Sequence, residues 1–327
     1  MAGDWLILHA GALGDLILTI QLALRLPGVN GSSKLHILSR SDPGDLSGCR
    51  PAVSRQSVEG LSLHRLHAES DEPLPDRLRE LVTGRRVLNA LAGVDSVVHR
   101  RLELLGPAAL YSFDPRPKPG LNTHITAQWQ RELQRQGLLF SNRIDRTCDS
   151  STLNVPDELR RCGRQVFALL GVGGQPILIH PGSGGRSKCW RLSSFLEVAR
   201  GARATNVLVC FVVGPVELER WSVMELDAIR AEFPLINAPE PNELLGLLAG
   251  ARAFVSSDCG PAHLAALVGT PTVAIFGPTS PTIWRPLGPN ARVVAGDSAS
   301  HPGDWGLSLE CVLLEVIGCV ADAERSS

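Results

Sequence analysis

Four short stretches carry residue types that could do chemistry: "HAGALGD" (9–15), "HPGSGGRSKCW" (180–190), "GPVE" (214–217) and "SDCGPAH" (257–263). In the second, small residues let backbone N–H groups approach an anion around Gly184, and the Ser183 hydroxyl and Lys188 ammonium add donors. It lacks the G-x-x-x-x-G-K-[ST] spacing of a Walker A loop, and a plain surface loop is Gly-rich too. Glu217 can accept both hydroxyls of a ribose; the plainer alternative is an exposed Glu favoured by the dipole of a first helical turn. In the fourth stretch Pro261 gives up an N–H that a helix start leaves unpaired anyway. The amides of Cys259, Gly260, Ala262 and His263 then form a helix N-terminus suited to a diphosphate. Asp258 would repel phosphate, so sugar hydroxyls or the helix start are its expected partners. For His263, a place in the core and a polar contact are both open.

Asp15 follows Gly11 and Gly14 and opens the apolar run "LILTIQLALRL". A carboxylate in a first helical turn stabilises it by about 0.3–1 kcal/mol, which alone justifies an Asp there; a general base is the other reading. "GALGD" is not the G-x-G-x-x-G fingerprint, and no acidic residue ends a convincing second strand, so no NAD site is expected. The chain has no D-x-D pair to hold a divalent cation on a diphosphate, and neither a metal nor a cofactor is expected.

Positioning these stretches requires strands that end where they begin. "WLILHA", a Gly turn and "DLILTIQLALRL" form a strand, turn and helix. Residues 35–110 are less legible, with "LHIL", "RVLNAL" and "SVVH" as strands or short helices. A Pro/Gly loop (112–124) precedes the helix "ITAQWQRELQRQGL". From 176 the β and α patterns alternate: "PILIH", a helix with Ser194 as N-cap and Glu197 completing a capping box, "NVLVCFVVG", "NELLGLLAGA", "AFVSS", "PAHLAALVG" with Pro261 first in its helix, and "TVAIFG". This alternation implies a parallel sheet, where ligands sit at the carboxyl ends of strands. The expected architecture is α/β, with an N-terminal domain over 1–153, a second over 154–305, and an amphipathic helix (306–327) packing back across both.

At 327 residues and 44% hydrophobic the chain is long enough for two domains. Charge is balanced, with 32 basic and 33 acidic residues, so no nucleic-acid footprint is expected. The eight cysteines form no C-x-x-C pair and several sit in apolar runs, as in reduced, mostly buried thiols of a cytoplasmic protein. The apolar N-terminal run has no basic region before it, is interrupted by Asp4 and Asp15, and is too short to span a bilayer; neither a signal peptide nor a membrane span is expected.

Taken in order and spacing, "HAGALGDLILTIQLAL", "IHPGSGGRSKCW", "GPVE" and "SDCGPAHLAALVGTPTVAIFGPTSPTIWRPLG" resemble the ADP-heptose:lipopolysaccharide heptosyltransferases, glycosyltransferase family 9. The resemblance covers roughly 5–25 and 176–290. It implies a GT-B fold: two Rossmann-like domains with parallel sheets facing a central cleft, acceptor on the N-terminal domain and nucleotide-sugar donor on the other. It implies inverting, metal-independent transfer, with ADP-heptose as donor and a lipopolysaccharide core or another surface glycan as acceptor. Asp15 takes the family's catalytic base. Lys188, Ser183 and the amides near Gly260 take the leaving diphosphate, Glu217 the ribose, and Asp258 and His263 the donor's sugar and phosphate. His9, Gly11 and Gly14 fall on the acceptor side. A lipid-linked acceptor would bring the protein to the cytoplasmic face of the inner membrane. The family usually has Arg where His9 stands and Pro where Gln21 stands. Two other readings are a GT-B-fold nucleotide-sugar epimerase, which needs further acid/base carboxylates and no acceptor, and a catalytically idle nucleotide-sugar-binding protein. Retained Asp15 and Lys188 argue against the idle reading, whereas His9 leaves it open.

Overall fold

The computed structural model describes residues 4–30, 32–69, 72–140, 152–297 and 303–326. The chain forms two compact units, Met1–Ser151 and Thr152–Ser327. Sequence composition puts the boundary at 153/154, in the polar stretch from Cys148, of which residues 148–151 lie outside the described residues.

The first unit is built on β1 (Trp5–His9), β2 (Lys34–Ser39), β3 (Ala52–Ser57), β4 (Arg86–Asn89) and β5 (Ala109–Ser112). Its helices are α1 (Leu13–Ala23), α2 (Asp76–Val82), α3 (Val97–Glu103) and α4 (Ile125–Arg135). The strands pair in parallel in the order β3-β2-β1-β4-β5. "SVVH" thus opens a helix, because the Ser96 hydroxyl caps it by accepting from the His99 amide. β1 is buried along its whole length, as its run of apolar residues demands when helices cover both faces of a parallel sheet.

The second unit contains β6 (Ile177–His180), β7 (Val209–Val213), β8 (Leu235–Asn237), β9 (Ala253–Ser257), β10 (Thr272–Phe276) and β11 (Ala291–Ala295), parallel in the order β11-β10-β9-β6-β7-β8. The connections carry α5 (Asp157–Leu169), α6 (Leu192–Ala204), α7 (Pro215–Arg220), α8 (Val223–Arg230), α9 (Pro241–Gly250), α10 (Gly260–Leu267) and α11 (Pro281–Trp284); α12 (Leu309–Ser326) ends the chain. For α12 a seat across both domains was the expectation. It packs on α6 and the second sheet, burying Val312, Val316, Cys319 and Val320 with Phe195 and Ala199. Among the described residues no helix is long and apolar enough to cross a membrane.

Two helix starts differ from the sequence reading. α6 begins at Leu192 with Arg191 at its N-cap, three residues before the expected N-cap Ser194, and no side chain caps it. The Arg191 amide donates to Gly303 O at 2.8 Å, and its carbonyl accepts from Ser194 and Phe195 at 3.1 and 3.2 Å. That tertiary anchor sets the helix start, so the local Ser194/Glu197 signature does not act as a cap. The capping box of the region is at α8, where Ser222 and Glu225 bond each other's backbone amides. In α10, Pro261 is the second residue and Gly260 the first.

Candidate active site

In the second sheet the strand order reverses between β6 and β9, which pair through His180 and Ser256 near their carboxyl ends. Ligands of open parallel sheets bind at such a switch point. The loop after β6 and the turn after β9 meet there and are sewn together. Ser183 Oγ donates to the Asp258 carbonyl at 2.7 Å, and the Trp190 amide donates to Ser257 Oγ at 3.0 Å. Lys188 Nζ lies 2.9 Å from Asp258 Oδ2, and Thr279 Oγ1 donates to that same oxygen at 2.7 Å. The Asp258 side chain is 7% exposed and the Lys188 side chain 39%. A buried carboxylate is tolerated when paired and hydrogen-bonded, and here it fixes a partly hydrated ammonium at the mouth of the turn. Asp258 was expected to meet sugar hydroxyls or cap α10; no side chain caps that helix, and Asp258 Oδ2 is bonded within the protein to Lys188 and Thr279.

Glu217, the third residue of α7, is 3% exposed, so the exposed-helix alternative does not hold. Its Oε2 accepts the Gly214 amide at 2.9 Å. The carboxylate also lies directly over Gly182, where a Cβ would stand 2.0 Å from Glu217 Oε1. Only glycine at 182 lets the loop close on this side chain. The result is a cavity of about 200 Å³ that Ser183, Gly184, Glu217, Gly260 and Pro261 share. Val212, Val213, Pro239 and Leu244 give it an apolar wall. His180 lines it as well, with Nδ1 donating to Val212 O at 3.0 Å. A slot with one apolar wall, a carboxylate and a helix start can take a flat ring, a vicinal diol and an anion together.

Lys188, Asp258, Ala262 and His263 stand beside this cavity rather than in its lining. The Ala262 amide, one of those expected to face a ligand, donates to Cys259 O at 3.2 Å. His263 is 4% exposed, and its Nδ1 has no partner among the described residues. Burial lowers its pKa to about 4, with Asp258 opposing and Lys188 reinforcing the shift, so the imidazole is neutral at neutral pH. Burial likewise pushes the Cys259 thiol up to about 12, and burial together with Glu217 pushes Cys189 up to about 11. Neither is a thiolate nucleophile. Sequence reasoning missed Gly182, His180 and Thr279. Each lies inside a stretch it had marked, but the reason for each is a contact between loops far apart in the chain.

In the first unit the strand order reverses between β1 and β4, and β1 delivers the "HAGALGD" turn to that point. Asp15 is the third residue of α1, half-buried, and Gly14 the second. His9 is 1% exposed, with Nδ1 unpartnered among the described residues and a pKa lowered to about 4 by burial. The ring and the carboxylate flank one glycine: a Cβ on Gly11 would stand 3.1 Å from His9 Cε1 and 3.3 Å from Asp15 Oδ2. Ser41 Oγ, from the loop after β2, donates to Gly11 O at 2.9 Å and holds the turn. Among the described residues no three His, Cys, Asp or Glu side chains converge to hold a metal ion.

The sequence profile of Glycosyltransferase family 9 (heptosyltransferase) matches residues 120–304. Lipopolysaccharide heptosyltransferase 3 of Escherichia coli is 29% identical over 164 residues, covering 49% of this chain and 48% of that protein. Lipopolysaccharide core heptosyltransferase OpsX of Haemophilus influenzae is 30% identical over 121 residues, 36% of this chain and 35% of that one. The chain spans about half the length of the curated relatives it matches. Among solved structures, a family 9 glycosyl transferase from Veillonella parvula superposes with a TM-score of 0.71 at 15% identity, covering 98% of both chains. The E. coli heptosyltransferase WaaC with ADP does so with a TM-score of 0.65 at 16% identity, covering 97% of this chain and 99% of that one. The two parallel α/β sheets are thus of the GT-B-like kind these enzymes share, and the chain belongs to glycosyltransferase family 9, the heptosyltransferase family.

Proposed function

We propose that the protein is an inverting, metal-independent glycosyltransferase that moves heptose from ADP-heptose to a lipopolysaccharide core or another surface-glycan acceptor. The observation that carries this reading is the cavity shared by Ser183, Glu217 and Gly260, with Lys188 held beside it on Asp258. Its apolar wall suits a nucleobase, Glu217 the two ribose hydroxyls, and Ser183, Lys188 and the start of α10 a diphosphate. The names of the similar proteins, heptosyltransferases acting on lipopolysaccharide, and a structural neighbour holding ADP support the choice of donor and acceptor. In this reading residues 154–305 hold the donor and residues 1–153 the acceptor.

The acceptor hydroxyl gives its proton to Asp15 while its oxygen attacks the anomeric carbon from the face opposite the diphosphate. The anomeric C–O bond breaks and ADP leaves with the bonding electron pair. Lys188 and the Gly260 amide stabilise the charge that grows on the leaving diphosphate, joined by the Ser183 hydroxyl once it turns from the Asp258 carbonyl, and His263, neutral, adds no charge of its own. The half-burial of Asp15, across Gly11 from an uncharged imidazole, supports its role as the base. The enzyme works at the cytoplasmic face of the inner membrane, where a lipid-linked acceptor is presented.

Thermal unfolding in the presence of ADP-, UDP- and GDP-sugars tests the donor. ADP-heptose should raise the midpoint most, by mass action on the folded state. No stabilisation by any nucleotide-sugar would refute the reading.

A further inference from the structure

The 3-10 turn Arg186–Lys188 has two sides. Lys188 turns to Asp258, whereas Arg186 lines a second cavity, of about 480 Å³, on the same unit. Trp190, Arg191 and Ser193 wall it at the start of α6, and Trp221 and Glu225 wall it where α7 passes into α8. A cavity of this size lies within the range of small-molecule sites, roughly 300–1,000 Å³.

Its chemistry is charge-balanced. Arg186 Nη2 lies 3.2 Å from Glu225 Oε1, and Arg191 Nη1 lies 3.4 Å from Asp304 Oδ2. Both guanidinium side chains stay substantially exposed, 65% and 48%, so each pair still offers unused donors and acceptors. Paired cations make a poor selective site for an anion, and walls of exposed ion pairs make a poor one for an apolar ligand. Two indoles also line the cavity. Trp221 is half-buried, whereas Trp190 is 2% exposed with its Nε1 buried, so it backs the wall without offering a donor. An aromatic wall and guanidinium–carboxylate pairs together fit one ligand class. That class is a neutral ring with apolar C–H faces and a rim of hydroxyls that both donate and accept.

We propose that this cavity is a carbohydrate subsite that holds a neutral sugar ring of a glycan, separate from the cavity lined by Glu217. The sugar lies against Trp221, and its hydroxyls bridge Arg186 and Glu225. Binding here needs neither a nucleotide-sugar nor turnover, so the proposal stands or falls apart from the transfer reading. A glycan held on Arg186 lies two residues along the chain from Lys188.

The test is calorimetric titration of the full chain with glucose, galactose, mannose and maltotriose, with inorganic phosphate as the charged control. At least one sugar should bind saturably, and phosphate should not compete with it. Ser193→Trp, which fills the cavity from an exposed helix position, should weaken that binding about tenfold or more. Trp221→Ala should do the same. Because Trp221 also packs on the core, Ser193→Trp is the deciding variant, provided its thermal midpoint is that of the parent. No saturable binding by any of the sugars at tens of millimolar, binding unchanged in Ser193→Trp, or competition by phosphate overturns the proposal.

Discussion

In the proposed transfer Lys188 and Glu217 do opposite work, and each is held in place by a neighbour within the protein. Lys188 is held by Asp258 and Thr279, so Lys188→Ala removes a cation and also leaves a buried carboxylate short of its counter-charge. ADP affinity measured by calorimetry should fall about tenfold or more, the scale of a lost charge-assisted hydrogen bond. Unchanged affinity would remove Lys188 from the diphosphate site. Glu217 is held by the Gly214 amide and by the absence of a side chain at 182. Gly182→Ala should therefore displace it, destabilising the fold by about 1–3 kcal/mol in urea unfolding and weakening ADP binding in the same variant. The sequence made Lys188, Ser183 and Glu217 visible because loops of the right chemistry follow strands. It left Thr279 and Gly182 obscure, because a hydroxyl on Asp258 and a void under Glu217 exist only once separate loops have met.

At the scale of elements, strands and helices with strong local signals were legible, while short or tertiary-anchored ones were not. β6 and β10 are apolar runs bounded by Gly or Pro, and with β9 they form where their patterns indicate. β8 has three residues and β3 reads "AVSRQS"; as short or polar strands they carry little periodicity. The start of α6 is the instructive failure, since a Ser194/Glu197 signature is overridden by the bond from Arg191 to Gly303. This yields a paired prediction. Ser222→Ala, which removes a true cap at α8, should cost about 1 kcal/mol in urea unfolding, whereas Ser194→Ala should be near neutral. Equal costs would restore the capping role of Ser194.

For the whole molecule, His9 and His263 set an acid limit. Burial takes both from 6.5 to about 4, so between those values the unfolded chain binds protons that the folded chain refuses. Stability is unaffected by them above about pH 6.5 and falls as pH drops toward 4, by up to about 1.4 kcal/mol per pH unit for each histidine. Urea unfolding of His9→Gln and His263→Gln across this range should show a shallower loss than the parent; parallel curves would show that the two rings are not buried neutral. One histidine belongs to each unit, His9 in β1 and His263 in α10, and each stands beside a residue on which the proposed transfer turns: Asp15 in the first unit, Lys188 in the second. The chemistry is tested most directly by incubating the protein and its Asp15→Asn variant with ADP-heptose and a heptose-deficient lipopolysaccharide core and following ADP release with the mass of the acceptor. The parent should release ADP and add one heptosyl group. The variant should bind ADP-heptose with similar affinity and transfer at least about a hundredfold more slowly. Equal transfer rates in the two proteins, or no transfer by the parent to any surface-glycan acceptor, would contradict the assignment.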